Sequence, residues 1–407
     1  MKIAIVTPFY RPSIGGMQES LGVFADYLVS QGCTVRIYTS QRQRLDELPI
    51  VSFRRLQNFP GHSVEAGTEV RRFAAGGLLD GLLGFAYAVC FKLYRPAAGF
   101  FYNIYQGRLM RVHRLAREVA DFKPDAILTG PCVEYLMRLC VRLCGKTGAR
   151  LIVQSALHLS EEESGGLRRA VQYLTHAHMV LANTDAEKEY LAANGVDAAK
   201  IDMPGIGLNL EAWARVREEE ADKRVVERLS GREYILYFGR KQAEKGIEEL
   251  IEAFHILRVV RPQTVLVLAG EETEYFNKNV APALMGDDRV VCLGRQDEST
   301  KRWLYSHARV FSMVSQVDSY GIVYCESWYS GRPVIGADNR QTSGVIRDGQ
   351  DGFLVPAQDP QALAHKLKIL LEDSVLADSM GQNGYRRLMK EFGGQAVEKK
   401  LFKRLQG

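Results

Sequence analysis

Tyr234-Ile-Leu-Tyr-Phe-Gly239-Arg240-Lys-Gln-Ala-Glu-Lys245-Gly246 runs straight into Ile247-Glu-Glu-Leu-Ile-Glu-Ala-Phe-His-Ile-Leu-Arg-Val-Val260. The opening residues are aromatic and aliphatic without a charge between them, as in a strand buried on both faces. Glycine ends the run, and from Ile247 the apolar residues recur at helical spacing, so the stretch reads as strand, turn, helix. The same unit recurs along the chain. Strand patterns in the first half are Lys2–Thr7, Thr34–Thr39, Glu69–Ala74, Asp125–Gly130, Arg150–Ser155, His178–Asn183 and Lys200–Gly205. In the second half they are Tyr234–Gly239, Thr264–Gly270, Arg289–Gly294, Arg309–Ser315, Pro333–Asp338 and Gly352–Pro356. Helical patterns lie between them, among them Met17–Gln31, Arg108–Asp121, Ile247–Val260, Ile322–Ser330 and Ala362–Leu371, and Thr184-Asp-Ala-Glu187 has the pattern of a capping box. Strand–helix alternation argues an α/β fold with parallel sheets covered by helices on both faces.

The alternation appears twice, and 407 residues are too many for one typical core. The break lies at Met203-Pro-Gly-Ile-Gly-Leu-Asn209, followed by the charge-rich 215–224. The expectation is two Rossmann-like domains, 1–205 on the acceptor side and 206–385 on the donor side. A C-terminal helical segment, 386–407, is expected to cross back onto the first domain. Ligands of such sheets bind beyond the carboxyl ends of the strands, so the cleft between the two domains is the expected site.

Composition narrows the class. Hydrophobic residues make up 46% and charged residues 25%, as in globular proteins, and the net charge is +5. Residues 1–205 carry 24 Lys+Arg against 19 Asp+Glu, and 206–407 carry 29 against 29. The excess lies in 42–123, with 13 basic against 7 acidic residues, which is a local basic surface and not a nucleic-acid tract. The seven cysteines form no Cys-x-x-Cys, which speaks against a zinc site or disulfide framework and fits a reducing compartment. The chain opens directly into a strand pattern, and no run of 18 apolar residues occurs. Neither a signal peptide nor a membrane span is therefore expected, and the expected location is the cytoplasm.

Several constellations carry chemistry. Gly15-Gly16 opens a helix after the first strand, where a backbone can approach a ligand closely; alone it reads more readily as a flexible turn. Arg240 follows a strand end and Lys245 opens a helix. A cation there opposes the helix dipole, a conflict that a bound diphosphate removes, although two solvated cations remain an open reading. Asp318-Ser-Tyr-Gly-Ile-Val-Tyr-Cys-Glu326 holds two carboxylates eight positions apart at a loop-to-helix junction. On a continuous helix that spacing is about 12 Å of rise and about 80° of turn. With Asp318 in the loop, the amides of Ser319, Tyr320, Gly321 and Ile322 point between the acids and form an anion pocket flanked by hydroxyl-binding groups. A nucleotide sugar has this layout. An amphipathic helix with an N-terminal acid is the plainer alternative. His158 follows the strand Arg150–Ser155 at its carboxyl end, as a site residue or as an idle loop histidine. No Asp-x-Asp pair is present, so no metal and no other cofactor is expected; Arg, Lys and helix amides take that part.

Together these pieces resemble the retaining nucleotide-sugar glycosyltransferases of family 4, which have the GT-B fold. The matching stretches are Gly15-Gly16 with its helix, Gly32-Cys-Thr-Val-Arg-Ile-Tyr38, Gly239-Arg240 through Lys245-Gly246, Asp318 through Pro333, and Asp351 through Pro360. The resemblance implies transfer of a sugar from a UDP- or GDP-sugar to a hydroxyl acceptor, such as a lipid-linked or cell-envelope glycan precursor. It implies that the Gly15-Gly16 loop, through the Gly16 N–H, faces the donor and that Arg240 and Lys245 bind its diphosphate. Asp318 then holds hydroxyls of the transferred sugar, Glu326 the ribose, and the amides of Ser319 through Ile322 complete the phosphate site. His158 matches the family's cleft histidine near the reaction centre. The family usually has Glu where this chain has Asp318, Phe-Gly where it has Tyr320-Gly321, and often Glu where it has Gly344. A GT-B sugar-nucleotide epimerase, a phosphorylase and a non-catalytic sugar-nucleotide-binding subunit are the alternatives.

One segment falls outside these motifs. Residues 73–105 are apolar and aromatic, with Arg71, Arg72, Lys92, Arg95 and Arg108 in or beside them. They read either as a contact with an anionic membrane on its inner face that admits a lipid-linked acceptor, or as a buried helix and loop.

Overall fold

Ile3, Ala4, Ile5 and Val6 are all fully buried. They form β1 (Lys2–Val6), the middle of a sheet whose faces are both covered. Ile3 and Ile5 enter one apolar cluster, and Ala4 and Val6 the other, because successive side chains of a strand point to opposite faces. The computed structural model describes residues 1–11, 16–41, 60–65, 67–73, 112–157, 159, 165–203, 210–316, 321–392 and 394–406. The chain forms two units, Met1–Leu208 with Gly394–Gly407, and Asn209–Gly393. The part of the C-terminal segment that joins the first unit thus starts at Gly394, whereas the sequence reading starts it at 386.

Among the described residues the first unit holds an eight-stranded sheet in the order β3-β4-β2-β1-β5-β6-β7-β8. Its strands are β1, β2 (Thr34–Ser40), β3 (His62–Glu65), β4 (Thr68–Phe73), β5 (Ala126–Thr129), β6 (Arg150–Gln154), β7 (Met179–Leu181) and β8 (Ile201–Asp202). All pairs are parallel except β3 with β4, and Ile5 lies opposite both Ile37 and Leu128. The sequence reading lacks β3. His62-Ser-Val-Glu65 is a short polar edge strand turned back on β4, and it carries none of the apolar run that marks the central strands.

The second sheet has the order β11-β10-β9-β12-β13-β14 and is parallel throughout. It is built from β9 (Tyr234–Phe238), β10 (Val265–Ala269), β11 (Val290–Cys292), β12 (Val310–Met313), β13 (Val334–Ala337) and β14 (Gly352–Val355). Six helices matter below: α1 (Gly16–Ser30), α2 (Asp185–Ala193), α3 (Ile247–Leu257), α4 (Glu298–His307), α5 (Ile322–Tyr329) and α6 (Gly394–Gln406). None of the described helices is long and apolar enough to cross a membrane.

Helix α6 packs on the α1 face of the first sheet. Leu401 and Leu405 are buried in the cluster that holds Leu21, Phe24 and Leu28 of α1. Phe402 meets Tyr27 edge to face at 6.2 Å, Arg404 pairs with Asp202 at 3.2 Å, and Arg150 donates to the Leu405 carbonyl at the helix end. Each buried leucine contributes about 1.5–3 kcal/mol, and the Arg150 cation complements the helix C-terminus.

Candidate active site

The described residues among those singled out above fall in both units. In the second unit, β9 stops at Phe238 and Arg240 stands exposed just beyond it. The turn is tied down: the Tyr237 hydroxyl donates to the Arg240 carbonyl at 2.6 Å, and the Lys241 N–H donates to Glu271 O at 3.0 Å. Lys245 closes the short helical turn Ala243–Lys245, half-buried, immediately before α3. Gly246 then takes φ +70°, and a Cβ there would lie 2.4 Å from the Val314 carbonyl oxygen, so only glycine lets the turn approach the end of β12.

This approach joins the two motifs. Gln316 N and Ser315 Oγ both donate to the Glu244 carbonyl, at 2.9 Å and 3.2 Å. The turn that carries Lys245 is thereby bonded to the loop that enters 317–320. Asp318, Ser319 and Tyr320 lie outside the described residues. Gly321 is the N-cap of α5 and brings no side chain of its own to the first-turn amides. Gly321 has φ +78°, and a Cβ would meet the Tyr324 ring at 2.4 Å. Tyr324 is itself fixed by its hydroxyl, which donates to the Met313 carbonyl at 2.6 Å.

Glu326, which the sequence reading takes as a hydroxyl-binding acid, sits in the second turn of α5. Its side chain is only 9% exposed, and Oε1 lies 2.7 Å from Lys301 Nζ of α4. Burial pushes the Glu326 carboxyl above its ordinary range against the pull of Lys301. Burial also disfavours the Lys301 charge, but Glu326 and Glu298 outweigh it and raise the ammonium pKa. Lys301 escapes a sequence reading because its partner is on another helix. The one signal is a lysine one turn before the core residues Leu304 and Tyr305.

In the first unit, Gly16 opens α1 beyond β1 and is exposed; Gly15 lies outside the described residues. Gln154 Nε2 at the end of β6 donates to Ser20 Oγ of α1 at 2.8 Å, which ties the two ends together. His158 also lies outside the described residues, but the approach to it is defined. The fully buried carboxylate of Glu187 accepts from Ser155 Oγ (2.6 Å), Leu157 N (3.0 Å) and Asn183 N (3.0 Å). Between two of these donors Ala156 takes φ +45°, a left-handed bend that a non-glycine residue keeps only when its surroundings impose it. Thr184 Oγ1 caps α2 by accepting from Glu187 N at 3.2 Å, as the capping-box pattern predicts. The Glu187 carboxylate reaches past the Thr184 N–H to Asn183 and the β6 loop. Burial pushes this carboxyl up to about 7, opposed by its three donors.

The basic residues named beside 73–105 are not all available to a surface. The Arg72 side chain is 2% exposed and donates to Ser63 Oγ, Glu65 Oε1 (2.6 Å) and the Arg11 carbonyl (2.7 Å). It is a brace beneath the β1–α1 loop, which corrects its assignment to a membrane face. Arg71 pairs with Glu69 at 2.6 Å. Residues 74–105, with Lys92 and Arg95, and Arg108 lie outside the described residues.

Comparison with known proteins gives the same division of the chain. A family model described as "Glycosyl transferase 4-like domain" matches residues 15–206, and one described as "Glycosyl transferases group 1" matches 218–387. The chain belongs to the family 4-type glycosyltransferases of GT-B fold. It is similar to the lipopolysaccharide core biosynthesis glycosyltransferase LpsE of Rhizobium meliloti, at 29% identity over 40% of this chain and 46% of that one. The match thus spans less than half of that relative's length. It is also similar to the capsular polysaccharide biosynthesis glycosyltransferase CapM of Staphylococcus aureus, at 24% identity over 68% and 73% of the two chains. The crystal structure of Anabaena Alr3699/HepE in complex with UDP superposes with a TM-score of 0.72 over 100% of both chains at 16% identity, a likeness of fold.

Proposed function

We propose that this glycosyltransferase is retaining and moves a sugar from a UDP- or GDP-sugar to a hydroxyl of a cell-envelope glycan or its lipid-linked precursor. One observation carries the reading. Glu244 O accepts from Ser315 and Gln316, which joins the cationic turn of Arg240 and Lys245 to the loop that leads toward the glycine N-cap of α5. Negative charge grows on the diphosphate as its bond to the sugar breaks, and preorganised cations and amides stabilise that charge most where it develops. Arg240, Lys245 and the amides of Ser319 through Ile322 supply them in this reading, in place of a divalent cation. Asp318 orients the sugar hydroxyls, and Glu326 receives the ribose. His158 and the Gly15-Gly16 loop contribute to donor recognition in this reading. With the acceptor arriving on the face that the diphosphate leaves, no protein nucleophile is required and orientation is the chief demand. The UDP complex of the HepE structure and the polysaccharide roles in the relatives' names support the donor and acceptor classes.

A thermal-shift panel of UDP-, GDP- and ADP-sugars tests the donor, since a ligand of the folded state raises Tm. A shift with a UDP- or GDP-sugar is expected, and a flat panel overturns the reading. NMR of the product should give the donor's own anomeric configuration, and a chelator should leave turnover unchanged. Donor binding without turnover on any hydroxyl acceptor would instead favour a non-catalytic subunit. A lipid-linked acceptor keeps 73–105 as a peripheral contact on the inner membrane face. Protein that stays in the supernatant with anionic liposomes at low salt removes that contact.

A further inference from the structure

The reading of Glu326 as the ribose carboxylate leaves Lys301 without a part. Lys301 projects from the first turn of α4, and its side chain is 14% exposed. Its ammonium touches one oxygen of Glu326 at 2.7 Å and a second acid, Glu298, at 3.4 Å. It also stands over two aromatic rings, 5.0 Å from the centroid of Trp213 and 5.8 Å from that of Phe238. Phe238 is the last residue of β9, two positions before Arg240. The ammonium therefore bridges the strand end that carries the cationic turn and the helix that carries Glu326. Beside it, the hydroxyl of the fully buried Tyr305 also bears on the Glu326 carboxylate and favours its ionised form.

A diol donates two hydrogen bonds, and a carboxylate receives them well only if it is ionised and held in one rotamer. A carboxyl as buried as Glu326 meets neither condition alone, because burial favours the neutral acid. A cation on one oxygen meets both and leaves acceptor capacity on the other. The aromatic rings restrict where that cation can stand.

We propose that Lys301 is a positioning residue for the Glu326 carboxylate, fixing the oxygen that receives the ribose hydroxyls of the donor nucleotide. The inference rests on the ribose reading of Glu326, so its test separates the two. Binding of UDP and of 2′,3′-dideoxy-UDP, which lacks the diol, is measured by calorimetry on the full chain (GDP and its dideoxy form if the panel selects guanine). Wild type should prefer the complete nucleotide by about 10–100-fold, the range of one or two hydrogen bonds to a charged group. Lys301→Met should bring the preference within about threefold and leave the dideoxy affinity unchanged, and Lys301→Arg should restore most of it. Equal binding of both nucleotides by wild type sinks the ribose reading and the inference with it. A wild-type preference that survives in Lys301→Met overturns the role of Lys301 alone, and a lower Tm with that preference intact makes the pair purely structural. If Lys301→Met does not fold, the double variant Lys301→Met/Glu326→Gln leaves no lone buried charge and is compared with Glu326→Gln. Equal preference in those two is expected, and a further loss in the double variant overturns a role exerted through Glu326.

Discussion

Arg240 and Lys245 are the residues whose removal most directly tests the chemistry. If they neutralise the leaving diphosphate, Arg240→Ala or Lys245→Ala should lower kcat by about 10²–10³-fold, the scale of a lost charge-stabilising group. Near-wild-type turnover in either, followed by nucleotide release, ends the clamp assignment. Gly321 acts through geometry. Gly321→Ala places a Cβ 2.4 Å from the Tyr324 ring at φ +78°, where an L-residue is strained by roughly 1–2 kcal/mol. The expected outcome is a lower Tm and weaker donor binding, since Tyr324 is held by Met313 and cannot swing away freely. Glu187 gives the pH prediction. Its folded carboxyl stands at about 7, above the roughly 4.3 of an unfolded glutamate. Between those values the folded chain binds a proton that the unfolded chain does not, so this group makes stability fall as pH rises from about 4.3 toward 7 and then level off. Glu187→Gln lacks the titration. The stability advantage of wild type over the variant should shrink between pH 5 and pH 8 in thermal melts, and a gap that widens over that range contradicts the placement.

At the scale of elements, legibility follows from how local each signal is. Tyr234–Phe238 is legible as a strand because a parallel strand buried on both faces shows an unbroken apolar run. His62–Glu65 is not, because an edge strand needs no such run. Arg240 and Lys245 are legible because a strand end and a helix start mark their place within a dozen residues. The Lys301–Glu326 pair is hidden, since it joins α4 to α5 across the chain and neither residue announces the other. Glu187 is half legible. Its place behind Thr184 marks a helix start, but its bonds to Ser155 and Leu157 depend on β6 and β7 lying side by side. Helix α6 gives an element-level prediction. Leu405→Asp puts a charge into the cluster of Leu21, Phe24 and Leu28. It should destabilise the first unit by about 3 kcal/mol or more, visible as faster proteolysis within 1–203.

At the scale of the molecule, the tryptophans divide the two units. All three, Trp213, Trp303 and Trp328, are buried in Asn209–Gly393. Tryptophan fluorescence therefore follows that unit alone, while calorimetry sees both. A saturating nucleotide sugar should raise the fluorescence-detected transition by the equivalent of about 2.7 kcal/mol at 100 times Kd. A shift confined to a transition that fluorescence does not see would move the donor site out of that unit. The return of α6 to the first unit also sets the order in which the molecule can be completed. A ribosome has emitted all of Asn209–Gly393 before it emits the helix that covers the α1 face. Of the two units, the one begun earlier is thus finished later. Until α6 is made, Leu21, Phe24 and Leu28 lack its cover, so a chain that stops before Gly394 displays an apolar strip to chaperones and proteases.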